Sequence, residues 1–125
     1  MKAVLDAGAF VAVEKRDRAV GAMLRVLRER RISMWTSAAV VAQVWRDSRK
    51  QPWLAQILDG VGVRALAAGD DRRVGELLAV AHRSDVIDAH VALLVEDGDH
   101  LLTSDPDDLE HLLAARRIDA AVAKT

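Results

Sequence analysis

The sequence predicts an α/β protein, a three-layer α/β/α sandwich around a central, mainly parallel sheet. Three observations carry this. Short apolar runs without polar alternation, of which Ala3-Val4-Leu5 is the first, read as strands buried on both faces, as strands inside parallel sheets are. These runs alternate with segments whose apolar residues recur at helical spacing, the order that places helices on both faces of such a sheet. The 125 residues fit one domain, 1–125, and no internal repeat, linker or low-complexity tract divides them.

Taken in order, the first strand halts at Asp6-Ala7-Gly8, where the Asp side chain can bond back to the main chain and Gly8 accepts turn angles. Ala9 to Val13 are apolar and continue as a helix. Glu14-Lys15-Arg16-Asp17 break it before Ala19, Met23, Leu24 and Leu27 recur at helical spacing. Arg25, Arg28, Arg30 and Arg31 crowd the end of that helix, where positive charge suits the dipole, and read as a solvated face. Ile32 to Trp35 form a second strand, Thr36-Ser37 are N-cap types, and a helix runs from Ala38 to Trp45 with Gln43 in its second turn. Pro52 opens a short helix to Leu58 as a first-turn proline does, and Asp59-Gly60 close it.

Val61 to Leu66 read as a third strand. Gly69-Asp70-Asp71 lead into a helix with Val74, Leu77, Leu78 and Ala81 on its apolar side, and Ser84-Asp85 cap the next, Val86 to Val95, which carries Asp88 in its first turn. Leu101-Leu102-Thr103 are a strand, followed through Ser104-Asp105-Pro106 by a helix from about Leu109 to Arg116, and Ile118 to Val122 give a last edge strand.

Composition narrows the function classes. With 51% hydrophobic and 30% charged residues the chain is compact and soluble rather than disordered, and a net charge of −1 gives no global basic field. The absence of cysteine removes disulfides, thiolate metal ligands and cysteine nucleophiles together, and suits a reducing, cytoplasmic setting. Asp6 and Glu14 interrupt the apolar residues where a signal peptide needs an uncharged core, and no run is long enough to span a membrane. His82, His90, His100 and His111 lack metal-binding spacing and read as surface or helix-end residues, and no nucleophile elbow or phosphate loop is present.

Chemistry resides in the acids. Asp6 follows the first strand, Asp88 opens a helix and Asp105 follows the Leu101–Thr103 strand, so a parallel sheet would gather all three at one edge. Each alone reads first as a helix cap or first-turn acid. Together their repulsion is costly unless a cation is present, and with oxygen ligands alone that cation is Mg²⁺ or Mn²⁺.

The motifs Val-Leu-Asp6-Ala-Gly-Ala-Phe, Asp85-Val-Ile-Asp88-Ala-His-Val-Ala and Leu-Leu-Thr-Ser-Asp105-Pro-Asp-Asp108-Leu resemble, over nearly the whole chain, those of PIN domains and among them the VapC-type toxins. The resemblance implies a PIN-like fold, a Mg²⁺-dependent endoribonuclease, and pairing with a small antitoxin in a type II toxin–antitoxin system. Asp6, Asp88 and Asp105 then match the metal-holding acids. Gln43 stands where the family usually has Glu, which removes one negative charge and any capacity to act as a base. Asp85, Asp107 and Asp108 are close enough in sequence to restore charge, although exposed cap roles fit them too, and Thr103 and Ser104 can orient the carboxylates or a water. Arg46, Arg49 and Lys50, beside Trp45 and Trp53, could meet RNA phosphates, or form a solvated loop. The alternative is a PIN-like module weakened by Gln43 that binds RNA or protein. A homodimer formed through apolar helix faces is expected of so small a chain, and the acidic pocket suits a partner's Arg or Lys.

Overall fold

The computed structural model describes residues 1–125. Five strands form one sheet: β1 Ala3–Leu5, β2 Met34–Ser37, β3 Val61–Arg64, β4 His100–Thr103 and β5 Ala121–Lys124. Their order is β3-β2-β1-β4-β5 and every neighbouring pair is parallel. Seven helices connect them: α1 Ala7–Glu14, α2 Arg18–Glu29, α3 Ala38–Val44, α4 Pro52–Leu58, α5 Asp70–Ala81, α6 Val86–Leu94 and α7 Pro106–Ala115. Helices α2, α3 and α4 pack on α1, while α5, α6 and α7 pack on one another, which gives the two outer layers.

The core explains why β1 is central. Ala3, Val4 and Leu5 are wholly buried, as an apolar run with no polar alternation requires. Around them Phe10 of α1, Val40 of α3, Val91 of α6, Leu101 of β4 and Leu109 and Leu112 of α7 are almost fully covered, so both layers are anchored on the same strands. Each such side chain contributes about 1.5–3 kcal/mol by leaving water. At the end of the sheet away from the strand C-termini, buried Asp99 accepts from the Lys2 ammonium at 2.6 Å, from the Lys2 backbone at 2.9 Å and from the Glu96 backbone at 2.8 Å. Burial pushes its carboxyl up, but these donors together outweigh that and hold it below the usual range.

Several boundaries move. Strand β2 begins at Met34 rather than Ile32 and takes in Thr36 and Ser37, because these two pair with Val63 and Arg64 of β3; the Thr36 hydroxyl also donates to the Leu5 carbonyl at 2.6 Å. Ser37 keeps its capping role, accepting the Ala39 N–H at 3.0 Å. Helix α3 stops at Val44, and α6 at Leu94, each one residue short of expectation. Strand β3 ends at Arg64, before the exposed Leu66. Helix α7 starts at Pro106, its N1 proline, not near Leu109. The last strand is displaced to Ala121–Lys124 because its register is set by Ala121 donating to Asp99 and Thr125 to Thr103, a tertiary choice.

Candidate metal centre

The C-terminal ends of β1 and β4, adjacent in the sheet, both lead into an acid: Asp6 follows Leu5 and Asp105 follows Thr103 by two residues. Asp6 is only 6% exposed. One of its oxygens accepts the Ala7 N–H at 2.8 Å, capping α1, and the other accepts the Thr103 hydroxyl at 2.8 Å. Thr103 in turn accepts the Asp105 backbone N–H at 3.0 Å, so one hydroxyl ties the two strand-end acids together. Capping and site are therefore not alternatives for Asp6. Gly8 makes this close packing possible, since a Cβ there would lie 2.7 Å from the Ser104 side chain and 2.6 Å from Thr125 Oγ1.

The third acid arrives from the other layer. Asp85 caps α6 by accepting the Asp88 N–H at 3.0 Å, which sets Asp88 in the first turn, pointed at the strand ends. Carboxylate oxygens of Asp88, Asp105 and Asp108 all lie within 4.8 Å of one another. Half-buried Asp88 has its pKa raised to about 7, by burial first and then by the charges of Asp85, Asp6, Asp105 and Asp108. Asp105 is also raised, chiefly by sharing a hydrogen bond with the Asp108 carboxyl, with desolvation and the Asp108 and Asp107 charges adding to it. Asp105 occupies the N-cap position of α7 but makes no side-chain cap bond, so its carboxylate is left to the cluster.

This donor set suits a hard divalent cation. It offers oxygens alone, its members repel one another, and Asp88, by burial and then by its neighbours' charges, holds its proton to about neutral pH. Asp108, beside Asp88 and Asp105, supplies an acid that its reading as an exposed cap residue leaves out. It also meets the Arg83 guanidinium at 3.6 Å. Asp107 is exposed in the first turn of α7, and Ser104 is exposed beside Asp105.

Gln43 is exposed in the last turn of α3 and its side chain makes no hydrogen bond. Arg46 folds its guanidinium back onto the Ala42 and Trp45 carbonyls at 2.8 and 2.7 Å, finishing α3. Arg49 lies 3.5 Å from Asp47, and Lys50 is exposed without a partner. Trp53 is 47% exposed with the Arg16 guanidinium 4.7 Å from its ring centre, so it belongs to the α2–α4 surface and not to the core.

Two polar residues escape a reading based on spacing. His90 is not at the surface: it is 2% exposed in α6, its Nδ1 lies 2.6 Å from the Ser37 hydroxyl, and burial holds its pKa below the ordinary value. Buried Gln51 accepts the Arg46 and Asp47 N–H groups at 2.7 and 3.0 Å and donates to the Val44 carbonyl and the Glu14 carboxylate at 2.8 and 3.0 Å. A polar residue just before a proline carries no local sign of such a role.

No protein-family model and no curated protein matches the chain. Solved structures do. A chain of the VapBC2 complex from Rickettsia felis, crystallised with a DNA fragment from its promoter, superimposes with a TM-score of 0.72 over 99% of this chain and 100% of its own length, at 16% identity. At that identity the likeness is one of fold, and it extends from end to end: this chain has the PIN-like α/β/α fold found in a chain of the VapBC2 complex.

Proposed function

We propose that this chain is a metal-dependent endoribonuclease using Mg²⁺ or Mn²⁺, acting in the cytoplasm as the toxin of a type II toxin–antitoxin pair. The observation that carries the reading is the convergence of Asp88, Asp105 and Asp108, with Asp6 tied to them through Thr103, at the strand C-termini where open parallel sheets bind ligands. Asp6, Asp88, Asp105 and Asp108 would hold the ion. When bound, it polarises a scissile phosphate and lowers the pKa of an attacking water.

The chain's own residues prepare that site. Thr103 and the Ala7 N–H hold both Asp6 oxygens in fixed directions, so the carboxylate is presented without reorganisation. Asp88 would give up the proton that burial and its acidic neighbours let it keep if a cation offset those neighbours. Asp85, by capping α6, fixes the direction from which Asp88 enters.

VapBC2 is a complex that binds promoter DNA. By analogy a small antitoxin is the proposed partner here, beside the RNA substrate and a second copy of the chain in a homodimer. Arg46, Arg49 and Lys50 remain the proposed phosphate contacts, which requires Arg46 to leave its α3 carbonyls. A second reading, a weakened PIN-like binding module, is favoured by Gln43, which is uncharged and exposed.

Cleavage of a mixed RNA pool tests the proposal. Cleavage in Mg²⁺ or Mn²⁺ that stops with EDTA and in Asp6→Ala is expected, and equal cleavage in chelator overturns the metal mechanism. RNA binding without cleavage, unchanged by metal, supports the module.

A further inference from the structure

A second cleft, of about 300 Å³, opens on the α5–α6 side of the sheet beside edge strand β3, and none of the acids of the metal centre lines it. Trp35 of β2 forms its floor, lying flat over Gly62 of β3, where a Cβ would come within 2.4 Å of the ring. Arg64, on the same face two residues beyond Gly62, holds its guanidinium 5.2 Å from the centre of the Trp35 ring. It has neither a carboxylate within ion-pair distance nor a hydrogen bond, and it is exposed. The other wall carries Arg73, 3.8 Å from Asp70, and His90.

His90 makes this cleft more than a surface fold. The Ser37 hydroxyl is completely buried and already accepts the Ala39 N–H at 3.0 Å, so its own hydrogen goes to the one remaining partner, His90 Nδ1 at 2.6 Å. That bond assigns the ring proton to Nε2. Nε2 has no partner within the protein and is not sealed off, so the little surface that His90 keeps, 2%, faces the cleft it lines. Nε2 is therefore a fixed donor open to the cleft. The same cleft carries Arg64, whose positive charge has no partner, and the Asp70 carboxylate, which also acts on His90 and is paired with Arg73 at 3.8 Å. Of the remaining charged lining residues, Lys2 is paired with Asp99, and Glu96 follows the C-terminal end of α6.

We propose that this cleft binds a small oxyanion, the phosphate or carboxylate group of a ligand that fits about 300 Å³, gripped between Arg64 and the Nε2–H of His90 with Trp35 beneath it. An anion accepts from both donors at once, and such charge-assisted bonds are about twice as strong as neutral ones. The site is independent of the nuclease reading, since it shares no residue with the metal centre.

The test titrates inorganic phosphate, and separately acetate, into the full chain in EDTA against chloride at matched ionic strength, with the His90 ring nitrogens and the Trp35 indole followed by NMR. The chelator leaves the acid cluster repelling anions, so it does not contribute. Saturable shifts of both groups are expected with at least one anion, phosphate alone identifying a phosphoryl ligand and acetate a carboxylate. Arg64→Gln, at an exposed position that leaves the fold intact, should weaken binding by about tenfold or more. His90→Gln should do the same if it folds. Absence of saturation with either anion, or unchanged affinity in Arg64→Gln, overturns the proposal.

Discussion

The Thr103 hydroxyl donates to Asp6 Oδ2 at 2.8 Å across 97 positions of sequence. Because the Thr103 hydroxyl oxygen also accepts the Asp105 N–H, it sets the spacing of two acids that follow different strands. Thr103→Val keeps the β-branched shape and removes this tie. Metal affinity is expected to fall by about tenfold or more, and stability by about 1 kcal/mol. Calorimetric Mn²⁺ titration and thermal melts would measure the two, and unchanged affinity would show that Asp6 is positioned by its backbone alone.

Asp88 and Asp105 both stand above the usual carboxylate range, Asp88 at about 7. Between that usual range and about pH 7 these two carboxyls hold protons in the metal-free folded chain that they lose on unfolding, so their contribution to stability should decline as pH rises through this window, while buried His90, held below its ordinary value, contributes the opposite slope. Asp88→Asn should flatten the decline. Divalent metal should flatten it too, because metal competes with the proton, and apparent metal affinity should rise up to about pH 7. A pH dependence of melting temperature that is the same in Asp88→Asn as in the parent chain would contradict the raised Asp88 carboxyl.

Gln43→Glu adds one negative charge at an exposed helical position, so its effect on stability is within about 0.5 kcal/mol. Stronger metal binding and faster RNA cleavage are expected of the variant under the nuclease reading. If cleavage stays absent in both forms while RNA is bound, the weakened module is the better account.

Gln51 satisfies four polar groups around the α3–α4 connection. Gln51→Ala leaves the Arg46 and Asp47 N–H groups and the Val44 carbonyl without it. A loss of about 2–3 kcal/mol is expected in denaturant unfolding, whereas a change near zero would mean that water replaces the amide.

An antitoxin that silences an acidic pocket does so most directly with a bidentate Arg. Replacing Asp6 and Asp105 together by Asn should weaken its binding, and high salt should weaken it further where the pair is exposed. A partner that binds both forms equally at low and high salt acts elsewhere.

What the sequence determined by itself is the part governed by local physics. An unbroken apolar run such as Ala3–Leu5 can be stable only inside a sheet covered on both sides, and alternation with helical periods then implies parallel strands, so the architecture and the central place of β1 were legible. The strand-end positions of Asp6 and Asp105 and the first-turn position of Asp88 followed from turn and cap chemistry within a few residues.

Tertiary structure decided everything that depends on which distant groups meet. Asp108 looks like any first-turn acid until α7 is laid against the start of α6, and there its oxygens come within 4.8 Å of those of Asp88 and Asp105. His90 has no sequence neighbour that reveals Ser37, 53 positions away, as its partner. Strand β5 slid past its expected start because backbone donors must find acceptors, and those of Ala121 and Thr125 find them on Asp99 and Thr103. Periodicity and caps report a residue's own segment, while burial and charge crowding come from surfaces brought together only when the layers close.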